Sequence, residues 1–232
     1  MTYEDKSAII QILHVQKRYG SKIALADITL DIFDNEFLFV SGPSGAGKTT
    51  LLKLLYLGER VSAGYIVADG LNLSRISRRR IPFFRRKFGI IFQDYKLIPG
   101  KTVFDNVALV AEAVGTGRSM IRKKVSSLLR TVGMEDRANA FPAGLSGGEQ
   151  QRVAVARAMA GNPKIIVADE PTASLDTESA EVIIRLLRQY HRLGATVIIA
   201  THDMELIRST GGRVVLFRDG RVESSAVISA PE

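Results

Sequence analysis

Cysteine is absent from the 232-residue chain, which excludes disulfides and thiol chemistry and suits a reducing cytosol. Long apolar runs are missing too. A membrane-spanning helix needs about 20 apolar residues, whereas stretches such as Ile165–Ala168 and Val197–Ala200 have only the length of strands. Residues 1–6 lack the basic start and continuous apolar stretch of a signal peptide, so the expected location is the cytoplasm. Repeats and low-complexity segments are likewise absent. Acidic residues are the minority charge, 24 against 32 Lys and Arg, and the net charge of +8 draws the surface toward anions: nucleotides, nucleic acid or an acidic membrane face. What the chain does have is 46% hydrophobic residues, enough for one domain with a sizeable core and room for an inserted subdomain.

Residues Ile9–Val15 and Ile23–Phe33 read as strands around a turn at Tyr19-Gly20-Ser21, forming a β layer at the start. Phe37–Val40 is a continuous apolar strand ending at Gly42, and Lys48–Leu57 carries leucines at helical spacing. Ser62–Asp69 and Phe88–Phe92 read as further strands. From Thr102 to Ala160 the pattern is helical, broken at Gly115-Thr116-Gly117, Gly133 and Pro142-Ala143-Gly144. Two buried strands follow, Ile165–Ala168 and Thr196–Ala200, flanking an amphipathic helix Thr177–Arg192 with Val182, Ile183, Leu186, Leu187 and Tyr190 inward. A helix to about Arg208 and a strand pair around Gly220 close the chain. Apolar strands alternating with helices predict an α/β parallel sheet covered on both faces.

The loop between the strand ending at Gly42 and the helix starting at Lys48 has the form G-x-x-x-x-G-K-T. Its glycines let backbone N–H groups turn toward a β-phosphate, and the helix N-terminus adds positive potential. Gly42, Pro43, Ser44, Gly45, Ala46, Gly47, Lys48, Thr49 and Thr50 are the expected nucleotide contacts. Lys48 reaches the β- and γ-phosphates, and Thr49 offers a hydroxyl to Mg²⁺, a hard cation that prefers oxygen ligands.

A loop of this kind serves several enzyme classes, so the second carboxylate strand matters. Ile165-Ile166-Val167-Ala168-Asp169-Glu170 places two acids at the C-terminal edge of a buried strand. Asp169 is expected to hold Mg²⁺, directly or through water, and Glu170 to act as general base on the attacking water. His202, just past the strand Thr196–Ala200, is expected to sense the γ-phosphate, and Gln93, just past Phe92, to touch both Mg²⁺ and the water.

Leu145-Ser146-Gly147-Gly148-Glu149-Gln150-Gln151-Arg152 resembles the LSGGQ-type signature of ABC (ATP-binding cassette) ATPases. Ser146, Gly147, Gly148 and the start of the following helix offer donors suited to a second γ-phosphate. The resemblance covers nearly the whole chain. It implies a P-loop NTPase of the ABC ATPase fold: a RecA-like parallel-sheet core with an antiparallel β subdomain (1–93 and 161–232 together) and an inserted helical signature subdomain (94–160). It further implies that Tyr19 stacks on adenine, that Gln93 and His202 are the glutamine-loop and switch residues, and that Ser174-Leu175-Asp176 cross a dimer interface, with Asp176 near the nucleotide. ATP and Mg²⁺ are the implied cofactors. A head-to-tail homodimer would sandwich each ATP between one copy's Lys48 loop and the other copy's Ser146.

Three stretches, Pro82–Asp94, Lys101–Ala108 and Leu145–Arg157, resemble the ATPases of bacterial cell division and also those of lipoprotein-releasing and macrolide exporters. Pro171-Thr172-Ala173-Ser174-Leu175-Asp176 departs from that subgroup toward amino-acid importer ATPases. Either way an integral membrane partner is implied, with the chain held peripherally at the cytoplasmic face. Arg75, Arg78, Arg79, Arg80, Arg85, Arg86 and Lys87 put seven cations among thirteen residues, interleaved with Ile81, Phe83 and Phe84. They read either as a solvated charge run or as a patch docking a membrane partner or an anionic lipid surface. Nucleic acid is not an expected ligand, because soluble family members that bind it usually carry two cassettes or a long coiled coil, and this chain has one cassette and no heptad array.

Overall fold

Alternation of buried and exposed residues along Ala8–Tyr19 (β1) and Lys22–Phe33 (β2) builds an antiparallel hairpin whose one face enters a core. The two-residue turn needs a positive φ at its first position, and Gly20 supplies it at 58°. In this computed structural model, residues 7–173 and 175–229 are described. Ser174, assigned above to a dimer interface, lies outside them. Register shifts bend the hairpin, and near them His14 and Asp27 both take positive φ and pair through Nδ1 and Oδ1 at 2.8 Å. Ala63–Ala68 (β4) and Leu71–Asn72 (β5) extend the sheet in the order β2-β1-β4-β5.

Phe37–Ser41 (β3) is buried at every position, as a strand covered on both faces must be. It leads through the glycine loop into Lys48–Leu55 (α1). The chain divides into two compact units, the first comprising residues up to Arg85 and from Gly194 onward. Within that unit β3 pairs in parallel with Thr196–Ala200 (β8) on one side and Gly212–Arg218 (β9) on the other. Met204–Thr210 (α7) links β8 to β9, and Arg221–Ile228 (β10) returns antiparallel to β9. The basic stretch forms a 3₁₀ turn at Arg78–Arg80 and a short helix Ile81–Arg85 (α2), of which only Phe84 is buried; Phe83 is 61% exposed.

The second unit, Arg86–Leu193, contains the parallel pair Phe88–Ile91 (β6) and Ile165–Asp169 (β7). Its helices are Val103–Ala113 (α3), Arg118–Thr131 (α4), Gly147–Met159 (α5) and Thr177–Arg192 (α6). Helix α3 starts where Thr102 caps the N–H of Asp105 at 3.1 Å. Fully buried Asn106 fastens the preceding loop, accepting from the N–H of Ile98 and donating to the carbonyls of Ile98, Lys101 and Thr102. Helix α6 buries Ile183, Ile184, Leu186 and Leu187, while Val182 and Tyr190, predicted inward, are only half-buried. Tyr190 still donates its hydroxyl to the carbonyl of Met159 at 3.2 Å.

Candidate active site

In the first unit, the phosphate-type loop takes its shape from glycines that no other residue can replace. Gly42 has φ of 141°, and a Cβ there would lie 2.1 Å from the carbonyl oxygen of Phe217 in β9. Gly47 has φ of 106°, and its Cβ would strike the Ala24 carbonyl oxygen at 2.7 Å. The buttress behind the loop comes from both ends of the chain: Gly220 donates its N–H to the Ala46 carbonyl at 3.1 Å and accepts from the Ala26 N–H at 2.8 Å. Pro43, Ser44 and Gly45 are exposed at the rim, and Thr49 and Thr50 are half-buried.

Buried Lys48 folds across the loop and donates its ammonium to the carbonyls of Gly42 at 2.6 Å and Pro43 at 3.1 Å. Helix α1 has no side-chain cap, so its first-turn N–H groups have neither intrahelical nor side-chain acceptors and suit an anion. His202 is exposed two residues beyond β8, whose Ala200 is in register with Val40 of β3, so it sits at the same strand edge as the loop. Tyr19 is 42% exposed; Lys17, which pairs with Glu59 at 2.8 Å, lies 4.7 Å from its ring centroid. A flat aromatic face held in this way is suited to stacking. One member of the basic stretch has a structural task that corrects the sequence reading: Arg85 donates to the carbonyls of Tyr56 and Leu57 at 3.1 and 2.6 Å. It therefore anchors α2 instead of joining an open patch.

In the second unit, β7 delivers Asp169, 8% exposed, and half-buried Glu170 to its C-terminal end. Glu170 has φ of 47°, a left-handed conformation that costs a non-glycine residue about 1 kcal/mol and persists only where the surroundings impose it. One such constraint is Gln151 of α5, which donates to the carbonyl of Pro171 at 2.9 Å. Exposed Gln93 lies two residues past β6, whose Ile91 is in register with Ala168, so it shares the strand edge of the two acids. Thr49, Gln93 and Asp169 all offer hard oxygen donors. Among the described residues no three His, Cys, Asp or Glu side chains cluster as a metal cage. A hydroxyl, an amide carbonyl and a carboxylate are each oxygen donors of the kind that Mg²⁺ prefers.

Ser146 caps α5 by accepting from the Glu149 N–H at 3.2 Å, while Glu149 accepts from the Ser146 N–H at 2.8 Å. Gly147 and Gly148 form the first turn. The Ser146 N–H, with the nearby charges of Arg137 and Arg152, holds the Glu149 carboxyl below the usual range despite some desolvation. Because the fold favours the charged form, the box contributes in full above the unfolded pKa of Glu149 and weakens as pH falls through its lower folded pKa. Glu149→Gln keeps a box-forming side chain without the charge. It is expected to flatten this acid limb in hydrogen exchange of amides 147–150 while changing neutral-pH stability by less than about 0.5 kcal/mol; an unaltered acid limb in the variant counts against the assignment. Asp176 caps α6, accepting from the N–H and hydroxyl of Ser179 at 2.8 and 3.0 Å, and these bonds lower its pKa. Gln151 and Arg157 escaped sequence reasoning, since a polar side chain on a helix reads as a solvated face.

The fold and these residues define a class. The ABC transporter family matches residues 25–173, and the chain belongs to that family. It is an ATPase with the family's α/β fold, and it binds nucleotide. Within the family it is similar to the cell division ATP-binding protein FtsE: 45% identical to that of Escherichia coli strain K12 over 92% of this chain and 97% of that protein. It is 41% identical to FtsE of Bacillus subtilis strain 168 over 91% and 93% of the two chains. Among solved structures it is similar to the dimeric cassette MJ0796, described as a bacterial ABC transporter cassette (TM-score 0.89, 35% identity, 96% of this chain and 100% of that one). A post-hydrolysis dimer of the same cassette bound to ADP and Pi matches with TM-score 0.88. No helix among the described residues is long and apolar enough to cross a membrane.

Proposed function

We propose that this chain works as a homodimer that hydrolyses ATP to drive an integral membrane partner in bacterial cell division, as an FtsE acting with an FtsX-like protein. The observation that carries this reading is the identity of 39–45% to FtsE proteins over more than nine-tenths of the chain; the dimeric form of the matched cassette supports the pairing of copies. Residues 1–93 with 161–232 form the core of this assignment and 94–160 the signature insert. The Lys48 loop, Thr50 included, and the Tyr19 ring bind ATP, and Ser146, Gly147 and Gly148 of a second copy complete the site. Asp176 contributes there by fixing the start of α6. Glu170 takes the proton of the attacking water, with Gln93 orienting that water and His202 holding the γ-phosphate. Thr49, Gln93 and Asp169 hold Mg²⁺, which supplies charge that offsets the charge developing on the phosphates.

The chain then sits at the cytoplasmic face of the membrane through its partner. Arg75, Arg78, Arg79 and Arg80 with exposed Phe83 provide the docking surface, and an anionic leaflet adds about 1 kcal/mol per cation near it. Arg78→Ser, Arg79→Ser and Arg80→Ser combined are expected to weaken co-purification with the FtsX-like protein at least severalfold and to spare ATP binding. Unchanged co-purification removes the patch from the docking surface. Capture of an exporter subunit in the same pull-down, with no FtsX-like protein, moves the chain to the lipoprotein or macrolide export class.

A further inference from the structure

Two residues past Gln93 the backbone makes a turn that the sequence does not advertise. Tyr95 and Lys96 both have positive φ, 59° and 50°, although neither is glycine. Two consecutive left-handed residues with side chains are held there by something outside the turn. That something is Arg157 near the C-terminal end of α5. Its guanidinium fork donates to the carbonyl of Tyr95 and to the carbonyl of Lys96, each at 2.6 Å. Arg157 is buried, and two carbonyls receive its charge; burial draws its pKa down to about 10, so it stays charged at neutral pH. At the other end of the same helix, a Cβ on Gly147 would lie 3.0 Å from the hydroxyl of Tyr95. Tyr95 therefore runs along α5 from the Arg157 fork to the first turn of the signature.

We infer that Arg157 is a positioning residue for ATP hydrolysis: by clamping the Tyr95–Lys96 turn it fixes Gln93 relative to the signature turn at Ser146-Gly147, so that the two move together. The inference rests on the proposed role of Gln93 in the ATP site. The fork is specific to arginine. A lysine ammonium keeps the charge and offers one nitrogen in place of the planar pair Nη1 and Nη2, so the two carbonyls lose the separate donors that hold them. Arg157→Lys should accordingly let Gln93 shift while Lys48 and its loop, which belong to the other compact unit, go on binding nucleotide.

The test is a double-mutant cycle on the full chain. ATP affinity of Arg157→Lys, read by titration with a fluorescent ATP analogue, is expected within about twofold of wild type, and its kcat lower by roughly ten- to a hundredfold with little change in KM. Gln93→Ala is expected to lower kcat similarly, and the double variant to be no slower than the slower single variant. Multiplicative losses in the double variant overturn the inference, because Arg157 then acts through something other than Gln93. Wild-type kcat in Arg157→Lys with a slow Gln93→Ala overturns it and leaves the role of Gln93 standing. Wild-type kcat in Gln93→Ala overturns both. Tyr95→Ala, at a half-buried side chain, is the second probe should Arg157→Lys yield little folded protein; it is held to the same non-additivity with Gln93→Ala.

Discussion

Glu170→Gln is expected to stop ATP turnover while leaving ATP bound. Glutamine preserves the shape of the side chain and its left-handed backbone position, and it cannot accept a proton from water. A positioned general base contributes typically 10²–10⁴-fold, so the loss of kcat should fall in or beyond that range. The same change removes a negative charge from the end of β7 that, in the proposed site, repels the γ-phosphate of ATP. With that repulsion gone and hydrolysis blocked, the ATP-bound dimer should accumulate and be visible as a doubled mass in size-exclusion chromatography with light scattering. Hydrolysis at the wild-type rate in this variant would refute the role of Glu170. A monomer that binds ATP without turning it over would keep the base and remove the dimer.

Lys48→Ala is expected to abolish nucleotide binding itself. The lysine closes the loop over its own carbonyls at 2.6 and 3.1 Å and, in the proposed site, turns its charge to the incoming phosphate. Hydrogen bonds to charged groups are worth about 1.5–3 kcal/mol each, and 1.4 kcal/mol is a factor of ten in affinity. Two lost phosphate contacts therefore predict a fall of about a hundredfold or more in ATP affinity, measurable by calorimetry. The fold should survive, because the loop is shaped by Gly42 against Phe217 and by Gly47 against Ala24 as much as by the lysine. Binding within tenfold of wild type would show that the loop N–H groups hold the phosphates without it.

The buried strands β3, β7 and β8 were legible because each is a run of apolar residues with no polar interruption, a pattern that only a covered strand shows. Helix α6 was legible from its apolar spacing. The short helix α2 was not, since seven cations among thirteen residues hide the one side chain, Phe84, that it buries. The positions of Glu170, Tyr95 and Lys96 were illegible for another reason: their left-handed backbone is imposed by packing and by partners such as Arg157, and no glycine marks it. Arg157 reads as one more charge on an exposed helix face until its carbonyl partners are seen. Val182 and Ile184 exchange places between prediction and structure because the buried stripe of α6 is turned by a fraction of its circumference.

The Gly220 contact with Ala46 and Ala26 also orders events in time. The ribosome makes the Lys48 loop early and Gly220 among the last residues of this sequence, so a partly made chain has the loop without the turn that backs it. Until the β9–β10 hairpin arrives, Gly42 has no Phe217 carbonyl behind it, and the strand edge of β3 lacks one of its two neighbours. A chain cut short of β9 is therefore expected to hold the Lys48 loop less firmly and to bind ATP more weakly.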